Sequence, residues 1–274
     1  ETFGEDELGY MRPDSVHLLV EAIKLAVVDR IAYGGDPDHV PVPLDVLLSE
    51  EYALAQRERI DPGRAALLPD VRHHGDLPEG ALKPGKLLRA RGETTHFAVA
   101  DRDFNVVTIT QTLGAFYGCG IASGDTGIFL NNGCTWFDIE KGGPNPVAGG
   151  RLVSFVLAPT QVFRGGEFHM SLGTTGGYGI MNTTPQMLMN ALDYGMGVQQ
   201  AIDAPRFSGG NGTMLIEPGI PQDVLDMLKA RGHLFAETSD PMGLGSAHGI
   251  VIDAKRGVFQ GGSDPRRDSA ALGL

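Results

Sequence analysis

Two short segments carry residue types suited to acyl chemistry. Arg91-Gly92-Glu93-Thr94-Thr95-His96-Phe97 runs from a Pro-rich stretch straight into a β-like run opened by two threonines. A threonine hydroxyl can act as a nucleophile, but it is a weak one and needs an adjacent base. Leu172-Gly173-Thr174-Thr175-Gly176-Gly177-Tyr178-Gly179 lies between a strand pattern and a long helix pattern. Successive backbone N–H groups at a helix N-terminus make a site for an oxyanion. Each segment alone also fits a plain structural role, since Thr suits strands and a Gly-rich turn lets a helix pack closely.

Other site types are excluded by motif. The chain has no G-x-S-x-G elbow, P-loop, G-x-G-x-x-G, H-E-x-x-H or C-x-x-C. His73-His74 reads as a solvated turn, because adjacent loop residues rarely chelate one ion. Cys119 and Cys134 read as small buried apolar residues, not as catalytic thiols. His96 reads as a structural hydrogen-bonder on its strand. Asp264, Arg266 and Arg267 read as an ion-pair corner.

The elements that must position the two segments follow from periodicity. Leu18, Leu19, Ala22, Ile23, Ala26, Val27 and Ile31 predict a helix capped by Asp14 or Ser15 and stopped at Gly34-Gly35-Asp36-Pro37. A second helix follows Ser49, with Glu50 and Glu51 in its first turn. Pro62, Pro69, Pro78 and Pro84, interspersed with Arg and Lys, mark 61–93 as an exposed, mobile linker. Thr95–Ala100 and Val106–Leu113 predict a hairpin. Arg151–Pro159 pairs with Phe168–Gly173, turning at Arg164–Glu167. Helices are predicted over Met181–Tyr194 and Pro221–Arg231, the latter capped near Gly219. A final hairpin joins Ile250–Asp253 to Val258–Gln260. Strand pairs followed by helices point to a layered α+β fold.

Composition bounds the rest. The 274 residues are 42% hydrophobic and 20% charged, as in an ordinary globular chain long enough for a sizeable core. Lys+Arg 22 against Asp+Glu 34 leaves a net charge of −12, which argues against nucleic acid or an anionic membrane as partner. Glycine is abundant, 39 residues, and forms no repeat. Two cysteines make no disulfide framework. The chain begins at Glu1 without Met or signal peptide, as a processed product or fragment would, so a cytoplasmic or a periplasmic or secreted location stays open.

In order along the chain, the segments resemble the gamma-glutamyltranspeptidase family of N-terminal nucleophile hydrolases. The matching strings are Asp29-Arg30-Ile31-Ala32-Tyr33-Gly34-Gly35-Asp36-Pro37, Thr94-Thr95-His96-Phe97 with Val99 and Asp101, and Thr110-Gln111-Thr112-Leu113. Gly127-Ile128-Phe129-Leu130-Asn131-Asn132, Gly176-Gly177, Asp203-Ala204-Pro205-Arg206-Phe207 and Ser263-Asp264-Pro265-Arg266-Arg267 follow. The resemblance implies a four-layer αββα sandwich and a proenzyme that cuts its own Glu93–Thr94 bond. Residues 1–93 would then be the end of a large subunit and 94–274 the small, catalytic one. By family position Thr94 is nucleophile and, through its freed α-amino group (pKa near ~8), also base. Thr112 orients its hydroxyl, and the N–H groups of Gly176 and Gly177 hold the oxyanion. No cofactor or metal is implied.

The chain departs from the family pattern where that family reads its gamma-glutamyl substrate. Gly114 replaces an Asn, Gly133 a polar residue, and Trp136 the acid that grips the ammonium. Of a Ser-Ser pair for the carboxylate, Ser154 remains and Phe155 takes the second place. An indole replaces little of a buried ion pair. Trp136 and Phe155 fit pocket lining and ordinary core packing equally. Asn131-Asn132-Gly133-Cys134-Thr135-Trp136-Phe137-Asp138 resembles the family's divergent amidohydrolase and acylase branch. The expectation is therefore a self-processing amidohydrolase on a small non-glutamyl amide. The alternatives are a true gamma-glutamyltransferase or glutathione hydrolase, and a non-catalytic homologue or structural subunit. Only 93 residues precede Thr94, against a several-fold longer large subunit in the family. A missing N-terminal segment, or a second copy in a homo-oligomer, is the expected protein partner.

Overall fold

The computed structural model describes residues 8–66, 93–139, 142–208, 213–238, 244–253 and 256–273. It is of the expected α+β class and divides into two compact units. One unit holds Glu1–Arg89, Gly133–Phe155 and Gly209–Ala236; the other holds Ala90–Asn132, Val156–Ser208 and Glu237–Leu274.

The first unit is built on helix α1, Pro13–Tyr33. Pro13 stands at the first helical position, where no N–H is missed. The expected side-chain cap is absent, because the Ser15 hydroxyl instead accepts the Gly9 N–H at 2.8 Å. A short helix α2, Leu44–Leu47, precedes α3, Glu50–Glu58, which the Ser49 hydroxyl caps by accepting the Tyr52 N–H at 3.1 Å. Tyr52 packs with Ala32 and Tyr33 of α1. Within the expected linker, residues 61–64 are exposed, while Ala65 is buried and donates its N–H to the Arg231 carbonyl at 2.8 Å. The remainder of that stretch, 67–92, with His73 and His74, lies outside the described residues.

In the second unit, β1 (Glu93–Ala100) and β2 (Val106–Gly114) form the expected antiparallel hairpin. Its turn is tied by the Asp101 carboxylate, which accepts the N–H groups of Asp103 and Asn105, both at 2.9 Å. Strands β3 (Thr160–Arg164) and β4 (Glu167–Thr174) pair across the expected glycine turn. Residues 151–159 are not the strand expected of them. The N–H groups of Leu152 and Ser154 are taken by the side chains of Asp36 at 2.8 Å and Asn145 at 3.0 Å, leaving no ladder to join. Helices α4 (Gly179–Leu192) and α5 (Val198–Asp203) follow β4.

After the two-residue β5 (Phe207–Ser208) come β6 (Met214–Ile216), α6 (Gln222–Ala230) and β7 (Phe235–Glu237). Helix α6 packs on α1 and has no side-chain cap. Strands β8 (Ala247–Asp253) and β9 (Val258–Ser263) complete a four-stranded sheet in the order β3-β4-β8-β9. The β1–β2 hairpin lies over β4 and β8, while α4 and α5 pack against β4, β8 and β9. Met170, Leu172, Met187, Val198, Ile202 and Ala247 close the core beneath the helices.

Candidate active site

Strand pairing brings Glu93, Thr94, Thr112 and Gly114 together. The register runs Thr94 opposite Thr112 and Glu93 opposite Gly114, with an irregularity between Glu93 and Thr94. Such a bulge re-aims side chains and is common next to active sites. The Thr94 side chain is buried, and its hydroxyl donates to Thr112 Oγ1 at 3.3 Å. The Thr112 hydroxyl donates to the Glu93 carbonyl at 2.7 Å and accepts the Gly114 N–H at 2.8 Å. One proton and two lone pairs are thus fully used.

Below Thr94 on the same face of β1, His96 is buried and reaches Thr110 Oγ1 at 2.7 Å, as expected of a structural hydrogen-bonder. Burial lowers its pKa to about 4, and the neighbouring His248 adds to the effect. Its ring stacks on that of His248, 6.2 Å between centroids, and crosses Gly173, where a Cβ would lie 2.1 Å from the ring.

Gly176 and Gly177 link β4 to α4 with φ of +116° and +57°, a left-handed turn that L side chains resist. Their carbonyls accept the N–H groups of Gly179 and Ile180 at 2.9 and 3.1 Å. Among the described residues neither glycine N–H has a hydrogen-bond acceptor, as an anion-binding turn requires. Thr175 anchors the turn, its N–H donating to the Ser246 carbonyl and its hydroxyl accepting the Ser246 N–H.

The remaining substrate-site candidates belong to the first unit. Gly133 and Trp136 bound a short 3-10 turn whose ends point inward. The Trp136 ring packs on Phe155 at 5.7 Å, and its carbonyl accepts Asn145 Nδ2 at 2.7 Å. Ser154 Oγ accepts from the Arg30 guanidinium, which also reaches the Phe155 carbonyl at 3.4 Å. Arg30 was not singled out from sequence as a site residue, although it stands in the Asp29-Arg30 string. Both cysteines are exposed, against expectation. Cys134 sits on the outward side of the turn that buries Gly133 and Trp136, and Cys119 lies on the exposed loop after β2.

The sequence model of the gamma-glutamyltranspeptidases matches residues 1–274. The chain belongs to the gamma-glutamyltranspeptidase family. It is 33% identical to the glutathione hydrolase proenzyme of Bacillus subtilis (strain 168) over 266 residues, covering 95% of this chain and 45% of that protein. It is 30% identical to the acylase ACY 1 proenzyme of Pseudomonas sp. (strain SE83) over 274 residues, covering 46% of it. The structure of cephalosporin acylase from Bacillus halodurans matches with a TM-score of 0.78 and 29% identity, over 96% of this chain and 46% of that one. The chain thus spans about half the length of the curated relatives it matches.

Elsewhere in this gamma-glutamyltranspeptidase-family chain, Asp264 pairs with buried Arg206 as well as with Arg266, the latter at 3.1 Å. Burial opposes ionisation of Asp264, but Arg206 and the N–H groups of Ala247 and Arg266 hold its carboxyl below the ordinary range. Among the described residues, His17, Glu21 and His233 are the group whose donor atoms converge as metal ligands would, within 4.8 Å. The Lys24 ammonium lies 2.7 Å from Glu21 Oε1 and already pairs with that carboxylate.

Proposed function

We propose that this chain is part of a self-processing amidohydrolase that forms an acyl-enzyme on Thr94 and acts on a small amide other than a gamma-glutamyl one. The observation that carries the reading is the Thr94–Thr112–Glu93 hydrogen-bond chain. Thr94 Oγ attacks the Glu93 carbonyl carbon. Its proton passes to Thr112 Oγ1 while Thr112 gives its own to the Glu93 oxygen. Collapse breaks the C–N bond, with the nitrogen taking a proton, and leaves an ester on Thr94 Oγ beside a free α-amino group. Water hydrolyses the ester, which gives the Glu93 carboxylate and restores the Thr94 hydroxyl.

The same hydroxyl then attacks a substrate amide. The new α-amine takes the hydroxyl proton and passes it to the leaving amine. The N–H groups of Gly176 and Gly177 receive the oxyanion, a role worth roughly 3–4 kcal/mol per donor in a comparable site. Water, or an acceptor amine, releases the acyl group. Gly114, whose N–H is bonded to Thr112, would border the acyl site. In this reading residues 1–93 end the large subunit and 94–274 form the small one. The stacked sheets and the α4–α5 layer are then three layers of an αββα sandwich, with the fourth supplied by a further segment or a second copy.

The loss of the ammonium-gripping acid at Trp136 favours a non-glutamyl amide. The names of the Bacillus subtilis relatives favour glutathione hydrolysis as the second reading. Intact mass and N-terminal sequencing test the processing: a fragment beginning at Thr94 is expected. Turnover of a panel of p-nitroanilides then separates the substrates. Gamma-glutamyl p-nitroanilide as the preferred substrate would select the second reading.

A further inference from the structure

Gly114 is where the backbone leaves β2, with φ of +86°. A Cβ there would lie 1.9 Å from Asn132 Oδ1. The Asn132 carboxamide therefore occupies the space that a side chain at 114 would take. It is held there by its own backbone, the Asn132 N–H donating to the Leu113 carbonyl at 2.9 Å. The Asn132 Oδ1 atom is buried and has no hydrogen-bond partner among the described residues. Leaving a buried acceptor unpaired is costly, so the atom calls for a donor that the described residues do not supply. The carboxamide also stands one residue's reach from the machinery, since the Gly114 N–H is bonded to Thr112 Oγ1 at 2.8 Å and Thr112 to Thr94.

We propose that Asn132 reads the acyl group of the substrate, its carboxamide accepting a hydrogen bond from an uncharged N–H or O–H donor near the scissile carbonyl. A neutral acceptor in a buried place suits a neutral donor, because a buried ammonium requires a carboxylate. The substrate class is thus an amide whose acyl part carries a hydroxyl or carbamoyl group. This rests on Thr94 being the nucleophile.

The test compares two p-nitroanilides with the processed enzyme: one whose acyl group ends in a carbamoyl, and its isosteric methyl ketone without a donor. The wild type should prefer the carbamoyl compound by about 10–100-fold in kcat/KM, within the range a hydrogen-bonding site allows. Asn132→Ala should erase the preference through KM, the carbamoyl compound losing more than the ketone. Asn132→Asp, an isostere, should move the preference toward an acyl group bearing an ammonium. Equal losses on both compounds, or an unaltered preference in both variants, overturns the assignment. Mass spectrometry of the acyl adduct keeps the two readings apart. An adduct on Thr94 with no dependence on Asn132 overturns this inference alone; turnover that survives Thr94→Ala overturns both.

Discussion

The hydroxyl of Thr94 donates to that of Thr112, and the bond spans the one irregular step of the β1–β2 ladder. A regular ladder would put Leu113 opposite Glu93, where Gly114 stands instead. Thr112 thereby bonds both the Thr94 hydroxyl and the Glu93 carbonyl, so one side chain touches both residues of the Glu93–Thr94 peptide.

From that relationship, Thr94→Ala should give an uncut chain without turnover. Thr112→Ala should slow appearance of the Thr94 N-terminus by about 100-fold, the low end of what a proton-transferring group contributes. Thr112→Ser keeps the hydroxyl and should process within about tenfold of wild type. A time course of the two fragments on a denaturing gel measures all three. Full-speed cleavage in Thr112→Ala would remove the proton relay from the mechanism.

Gly173 should tolerate no side chain. Its position beneath the His96 ring leaves a Cβ only 2.1 Å from that ring, which Thr110 holds in place. Overpacking of this kind costs about 1–3 kcal/mol. Gly173→Ala should lower Tm by roughly 2–12 °C at the slope of a domain this size. The double variant Gly173→Ala/His96→Ala should recover part of that loss. A single variant as stable as wild type would show that β1 can lift away from β4.

Much of this arrangement is legible in the sequence, and the illegible parts share a cause. The hairpin is readable because Asp101 and Asn105 close the turn locally and the flanking residues alternate. The start of the helix after Ser49 is readable because its signals are local: two acids in the first turn, and a hydroxyl whose partner, Tyr52, is three residues away. Distant side chains decide the rest. Residues 151–159 have strand-like composition, but Asp36 and Asn145 claim their N–H groups. Arg206 finds Asp264 across 58 positions, and no local pattern announces that pair. Cys134 is exposed because its neighbours Gly133 and Trp136 turn inward. Asn132 carries no local signal of its own, and only the space at Gly114 shows where its carboxamide lies.

Trp136 should matter for stability in its own right. The ring is 5% exposed and packed on Phe155, as a core side chain is. Trp136→Ala should cost about 3–5 kcal/mol in denaturant unfolding. Trp136→Phe should recover most of that and leave fragment formation at Thr94 unchanged. A neutral Trp136→Ala variant would mean that the ring contributes nothing to the packing of its unit.

The Arg206–Asp264 pair is fully buried on both sides, and without Arg206 the carboxylate keeps Arg266 as its ionic partner. Arg206→Met should destabilise by about 3–5 kcal/mol. Asp264→Asn keeps the acceptor for the Ala247 N–H and should cost less, because the charged Arg206 still has the carbonyls of Ile202 and Leu244 at 3.1 and 3.3 Å. Urea unfolding of the two variants ranks them; a reversed order would show that the carboxylate charge, not its hydrogen bonds, holds the corner.

Acid should destabilise this fold earlier than carboxylate titration alone predicts. Burial holds His96 at about 4, with His248 adding to the effect. Burial likewise holds His233 at about 3, reinforced by Lys24, His17 and Arg231. Both values lie below the ordinary 6.5. Between 6.5 and the folded value the unfolded chain binds more protons than the folded one. Stability therefore rises with pH across that window and drains away as pH falls through it. Above it neither ring contributes a slope. The lowered carboxyl of Asp264 acts with the same sign lower on the scale. Tm should be nearly flat from about pH 7 to 8 and decline steadily from about pH 6 to 4. His96→Gln and His233→Gln should each flatten part of the decline whatever they do to the absolute Tm. A decline identical in both variants would place the acid sensitivity elsewhere in the chain.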